Sequence, residues 1–104
     1  MKIDFDLQKI RDYFKNDQFI ISNHARVRMF QRNITTEIIK SIVINGEIIE
    51  EYPLDIPYPS ALILGFWKEE PFHLVVAQCK DYAIVITVYQ PDEAKWIDYR
   101  KRKE

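Results

Sequence analysis

The apolar positions of this chain change period part-way along. Before Gly46 they recur every three to four residues, and after it they alternate or run together. Phe5, Ile10, Tyr13 and Phe14 predict a first helix over about 4–15. "QFIIS" (18–22) reads as a short extended piece. Ser22 or Asn23 stands where an N-cap belongs, ahead of a second helix carrying "HARVRMFQR" (24–32), and Asn33 ends it. Thr35 or Thr36 caps a third helix with Glu37 in its first turn. Ile38, Ile39, Ile42 and Val43 fall on one stripe of that helix, and Gly46 is placed to close it as a left-handed C-terminal cap.

Beyond Gly46 the pattern is that of strands. "EIIEEY" (47–52) is β-rich, whereas "PLDIPYP" (53–59) holds three prolines and reads as a stiff connection. "SALILGFW" (60–67) is an apolar run that implies burial on both faces. "KEEP" turns the chain into "FHLVVAQC" (72–79) and then "AIVITVYQP" (83–91). "DEAKW" suggests a short helical turn, and the charged segment 98–104, ending "YRKRKE", a frayed tail. Three helices followed by about four closely linked strands predict an α+β fold, with the helices packed on one face of an antiparallel sheet.

Register sharpens this picture. An odd, three-residue loop between the last two strands puts Phe72, Leu74, Val76, Ile84, Ile86 and Val88 on one apolar face. The opposite face then carries His73, Val75, Ala77, Val85, Thr87 and Tyr89, which groups His73, Thr87 and Tyr89 away from the core. An even loop mixes the faces, and its Lys80-Asp81 lacks the Asn-Gly chemistry of a tight hairpin.

Composition removes several function classes. With 104 residues the chain fits one domain, spanning 1–104. Two glycines exclude a glycine-rich phosphate loop, and a formal charge of -1 leaves basic function to local clustering. The single cysteine, Cys79, rules out a disulfide framework or cysteine-rich zinc site and suits a reduced, cytoplasmic setting. The start "MKIDFDLQKIRDYF" lacks the apolar run of a secretory leader, and no segment is apolar enough to span a membrane.

The second helix holds the candidate chemistry. At about 100° per residue, His24, Arg28 and Arg32 align in one row with Gln31 beside them, and the row contains no acid. Ala25, Met29 and Phe30 are expected to face the core, leaving Arg26 as a misfit inside the apolar arc. Such a row is commonly just a solvated helix face. His73 on a strand is as readily structural as catalytic, Thr87 is a normal strand residue, and Tyr89 can simply pack. The aromatics, Trp67 and Trp96 included, read as core, and Cys79 as inert. A metal site from His24 and His73 lacks the spacing it needs, so no metal or cofactor is expected.

"HARVRMFQRNI", then "GEIIEEYPLDIPYPSALILG", "FHLVVA" and "IVITVYQPD", resemble the domain of unknown function 4258 family over about 22–96. Leu74 stands where that family often has valine, and Asn33 where it often has glycine. The resemblance implies a fold like the RelE, ParE and MqsR-like toxins of the barnase–EndoU–colicin–RelE nuclease group. It implies a toxin partnered by a cognate antitoxin, either a small zinc-finger protein of the MqsA type or a helix-turn-helix protein. The matching activity is metal-independent endoribonuclease chemistry on RNA. His73 is then base or acid with His24 as second candidate, Thr87 and Tyr89 position phosphate or donate a proton, and Arg28 and Arg32 hold it. The alternative is a non-catalytic module that binds a partner protein or nucleic acid, which the near-neutral charge favours.

Overall fold

The structure, a computed structural model, describes residues 5–104. Helix α1 (Leu7–Lys15) starts after Asp6, whose carboxylate accepts from the Lys9 N–H. That cap sets the start at Leu7 rather than near Asp4, which lies outside the described residues. Strand β1 (Phe19–Ile21) leads into α2 (Asn23–Arg32), capped by Ser22 and closed by Asn33 at φ 56°. Thr35 caps α3 (Thr36–Asn45).

Gly46 is not the left-handed cap expected of it, because its backbone is extended (φ -84°, ψ -174°). Its glycine is required by space instead. A Cβ here would sit 2.6 Å from the Leu64 carbonyl oxygen, 2.8 Å from Ile63 Cγ2, and closer still to the Ile42 carbonyl.

The sheet comprises β2 (Glu47–Tyr52), β3 (Ser60–Trp67), β4 (Glu70–Gln78) and β5 (Ala83–Tyr89), joined by β1 in the order β1-β5-β4-β3-β2. The α+β class is as expected, with five strands in place of four. The extra strand is "QFIIS", which pairs parallel to β5 (Phe19↔Ala83 to Ile21↔Val85). Its partner lies far along the chain, so local pattern could not show the pairing. The helices cover one face: Ile10, Phe14, Ala25, Ile39, Ile42 and Val43 pack on Ile63, Leu74, Val76, Val85 and Val88. Ser60 to Gly65 of β3 are buried, as their apolar run implies.

The odd hairpin loop is overturned. Gln78 pairs with Ala83, which leaves a four-residue loop, Cys79 to Tyr82. The faces are nevertheless sorted, because the register steps from Val76↔Val85 to Val75↔Thr87 and leaves Ile86 as a β-bulge. Val85 and Val88 therefore both face the core, while Ile84 lies beside Ala77 on the outer face, reversing the expected sides of Ile84 and Val85. Thr87 and Tyr89 turn outward, opposite Val75 and His73. A second bulge at Ile49 does the same on β2. Ile48 pairs with the core residue Ile63, and Glu50 then pairs with Leu62, so Glu50 and Tyr52 join the outer face.

The C-terminal segment is ordered rather than frayed. Glu93–Lys95 form a turn, and β6 (Trp96–Ile97) pairs with β7 (Lys101–Arg102) as a small hairpin. Burial of Trp96 and an Arg102–Glu50 ion pair hold this segment in place.

Candidate functional site

His73 stands at the centre of the outer sheet face and is fully buried. Its Nε2 lies 2.6 Å from the Tyr99 carbonyl oxygen, which can only accept, so Nε2 carries the proton. Nδ1 then accepts from the Tyr89 hydroxyl at 3.1 Å. Trp96 closes over the imidazole edge-on, with ring centroids 4.4 Å apart. Burial holds His73 below the ordinary histidine range, against the Tyr99 carbonyl and the Glu50 carboxylate, which draw it up. The same burial raises the Tyr89 hydroxyl. Thr87, half-buried, lies opposite Val75 on this face.

Beside the histidine is a group that sequence reasoning missed. Glu50 receives both nitrogens of an Arg102 fork, Nε at 2.9 Å and Nη2 at 3.2 Å, together with the Tyr52 hydroxyl. Burial raises the Glu50 carboxyl, but the hydrogen bonds from Arg102 and Tyr52 outweigh it and leave the group below its ordinary value. Tyr52 is pushed up to about 12 by burial and by the adjacent carboxylate. The Arg102 guanidinium also lies over the Trp96 ring, 4.7 Å from its centroid. A signal for Glu50 did exist: "EIIEEY" sets two apolar residues and then two acids side by side, which breaks strand alternation and marks the bulge.

The α2 row is built differently. Ser22 fixes its start: the Ser22 Oγ accepts from the Ala25 N–H and donates to the Ile86 carbonyl of the bulge at 2.8 Å. The helix therefore begins beside the irregularity that turns Thr87 and Tyr89 outward. Ala25 is buried, Arg28 and Met29 are half-buried, and His24 and Arg32 are exposed. Phe30 is 88% exposed rather than in the core. The core arc centres on Ala25, which leaves Phe30 and Arg26 on the solvent side and removes the misfit assigned to Arg26.

The arginines divide cleanly. Arg11 binds the Val43 and Gly46 carbonyls, Arg100 pairs with Glu47, and Arg102 pairs with Glu50. Arg26, Arg28 and Arg32, all on α2, have no hydrogen bond or ion pair among the described residues.

The structure brings His73, Thr87 and Tyr89 onto one face and keeps His24, Arg28 and Arg32 in one row, but no hydrogen bond or ion pair among the described residues joins the two groups. The charges acting on His73 are those of Glu50 and Arg102. Among the described residues no three His, Cys, Asp or Glu side chains gather as a metal site would need. Cys79 is buried, and burial raises its thiol. No helix is long and apolar enough to cross a membrane. Comparison with curated proteins and with solved structures finds no match. A family model matches residues 21–90, from the end of β1 to just past β5, and the chain belongs to the family described as "Domain of unknown function (DUF4258)".

Proposed function

We propose that this protein acts on RNA as the toxin of a toxin–antitoxin pair, cleaving the chain as a metal-independent endoribonuclease. The observation that carries this reading is the set of three arginines on α2 with no hydrogen bond or ion pair among the described residues, beside the exposed His24 on a helix with no acid. Unpaired guanidinium groups on one helix suit successive phosphates, which they bind by charge and by paired hydrogen bonds. Membership of the DUF4258 family, whose resemblance implies a RelE- and MqsR-like toxin, supports the same reading.

In the reaction the 2′-oxygen attacks the adjacent phosphorus, and the bond from phosphorus to the 5′-oxygen breaks. The 2′-hydroxyl proton goes to a base, and the departing 5′-oxygen takes a proton from an acid, leaving a 2′,3′-cyclic phosphate. His73 is assigned to proton transfer, since burial favours its neutral, proton-accepting form. Tyr89 is its donor partner, Thr87 positions phosphate, and His24 is the second candidate for proton transfer. Arg28 and Arg32 hold the phosphate, and an antitoxin would keep the protein silent.

One observation favours a second reading, that of a non-catalytic module for a partner protein or nucleic acid: His73 is fully enclosed with both ring nitrogens engaged. Tightly controlled expression separates the two. The nuclease reading expects growth arrest with RNA cut to cyclic-phosphate ends in the presence of EDTA, both lost in Arg28→Ala and His73→Ala. Arrest that survives both substitutions without RNA cleavage would leave the binding module in its place.

A further inference from the structure

The C-terminal hairpin covers His73 without joining the main sheet. β6 and β7 pair with each other and form a separate two-stranded sheet. Side chains and one carbonyl hold the hairpin down. Arg100–Glu47 lies at the surface, where an ion pair adds little, whereas the Arg102 fork grips the half-buried Glu50. The other firm holds are Trp96 over the imidazole and the Tyr99 carbonyl on Nε2.

The turn of the hairpin is set against its own sequence. Asp98 and Tyr99 both have positive φ, 52° and 62°, and the Arg100 N–H closes the turn on the Ile97 carbonyl at 2.9 Å. Two consecutive left-handed residues make the turn that favours Asn-Gly. Here it is made by aspartate, which tolerates the left-handed region, and by tyrosine, which does not adopt it freely. Such residues persist where surrounding contacts over-determine them, and the contact here is known. Tyr99, the residue less suited to this turn, is the one whose carbonyl meets His73.

We propose that the β6–β7 hairpin is an autoinhibitory lid. Closed, it keeps RNA from His73 and Tyr89. Lifted, it opens a site floored by His73, Tyr89 and Glu50, and takes away the Arg102 fork that occupies the Glu50 carboxylate. The proposal rests on the reading above in which His73 is the group that moves protons. It deepens that reading by explaining why the group is enclosed.

The chain's two histidines provide an internal reference, since His24 is exposed and His73 is buried. The full-length protein is treated with diethyl pyrocarbonate, and modification of each histidine is followed by peptide mass spectrometry. In wild type His73 should react at least about tenfold more slowly than His24, since it reacts only through opening. Trp96→Ala should narrow that gap about tenfold while cooperative melting is retained. Asp98→Gly should widen it about fivefold, since glycine holds the left-handed turn at no steric cost and the carboxylate removed makes no hydrogen bond or ion pair among the described residues. This second variant keeps the test decisive should Trp96→Ala fail to fold.

An unchanged gap in a folded Trp96→Ala protein, or a narrower gap in Asp98→Gly, would overturn the lid. RNA cleavage is measured on the same preparations and should rise in Trp96→Ala and fall in Asp98→Gly. If the reactivities move as stated and no variant cleaves RNA, the hairpin is a lid and the nuclease reading falls.

Discussion

Nε2 of His73 and the carbonyl oxygen of Tyr99 stand 2.6 Å apart, and this contact fixes the histidine tautomer, ties the C-terminal hairpin to the sheet and accounts for a left-handed tyrosine. Burial beneath Trp96 nevertheless disfavours the charged imidazole, against the pull of that carbonyl and of Glu50.

The first prediction follows from that burial. The folded protein holds His73 below its ordinary value, so the unfolded chain takes up the proton first as pH falls below about 6.5. Stability is full above that point, declines as pH falls toward the folded-state value, and is flat below it. The titratable and charged groups facing the ring are Glu50 from β2, Tyr89 from β5 and Arg102 from β7. Glu50 keeps its charge across this window, since the hydrogen bonds from Arg102 and Tyr52 hold its carboxyl below the ordinary value. Urea unfolding between pH 8 and 5 in a His24→Gln background should show the slope. His73→Gln, which can still donate to Tyr99 and accept from Tyr89, should flatten it. A slope that persists in His73→Gln would assign the effect elsewhere.

A second prediction concerns the joint between α2 and the bulge. Ser22 serves two backbone groups with one hydroxyl, capping Ala25 N–H and donating to Ile86 O. Ser22→Ala should cost about 1–2 kcal/mol, and Ser22→Thr should retain most of that stability. Thermal melting of both variants checks it; equal losses would show that the hydroxyl is not the contributor.

The helices, the strand segments and the apolar stripe of α3 could be read locally because each follows from periodicity within about ten residues. What escaped was set by partners far along the chain. The sides on which Ile84 and Val85 fall follow from the four-residue loop, and beyond them the strand is turned back by a bulge whose Ile86 carbonyl accepts from Ser22, more than sixty residues earlier. Phe30 was misplaced because a short helix that touches the sheet through Ala25 and Met29 buries a narrower arc than its apolar residues suggest. The tail "YRKRKE" looked solvated because its order comes from Glu47, Glu50 and His73. His73, Thr87 and Tyr89 were grouped on the correct face from a wrong loop length, since one bulge and one extra loop residue cancel beyond Ile86.

A third prediction separates arginines that hold the fold from arginines held ready. Arg11 binds two carbonyls at the end of α3, Val43 O in its last turn at 3.1 Å and Gly46 O just past it at 2.8 Å. Arg11→Ala should cost about 1–3 kcal/mol, as for loss of charged hydrogen bonds at a helix end. Arg32→Ala removes no hydrogen bond or ion pair among the described residues and should change stability by less than about 0.5 kcal/mol. Urea midpoints compare the two. Binding to a single-stranded RNA oligonucleotide should show the reverse order, with Arg28→Ala/Arg32→Ala lowering the salt slope by about 1.4, or 0.7 per lost contact. An Arg32→Ala protein as unstable as Arg11→Ala would mean that the residue is engaged after all.

The last prediction tests why Gly46 is glycine. A left-handed cap would make the requirement torsional, and asparagine, which visits that region readily, would be a tolerable replacement. The extended backbone makes it steric instead: a Cβ would press on the carbonyl oxygens of Ile42 and Leu64, which are fixed in the end of α3 and in β3. Backbone oxygens cannot rotate aside as side chains do, so relief would require α3 to move off β3. Gly46→Ala should therefore cost about 3 kcal/mol, at the upper end of what overpacking causes. Gly46→Asn should be no better, because its extra atoms add to the clash and its left-handed tolerance is of no use at φ -84°. Denaturant unfolding of the two variants decides between the accounts, and an asparagine variant clearly more stable than the alanine one would restore the torsional explanation.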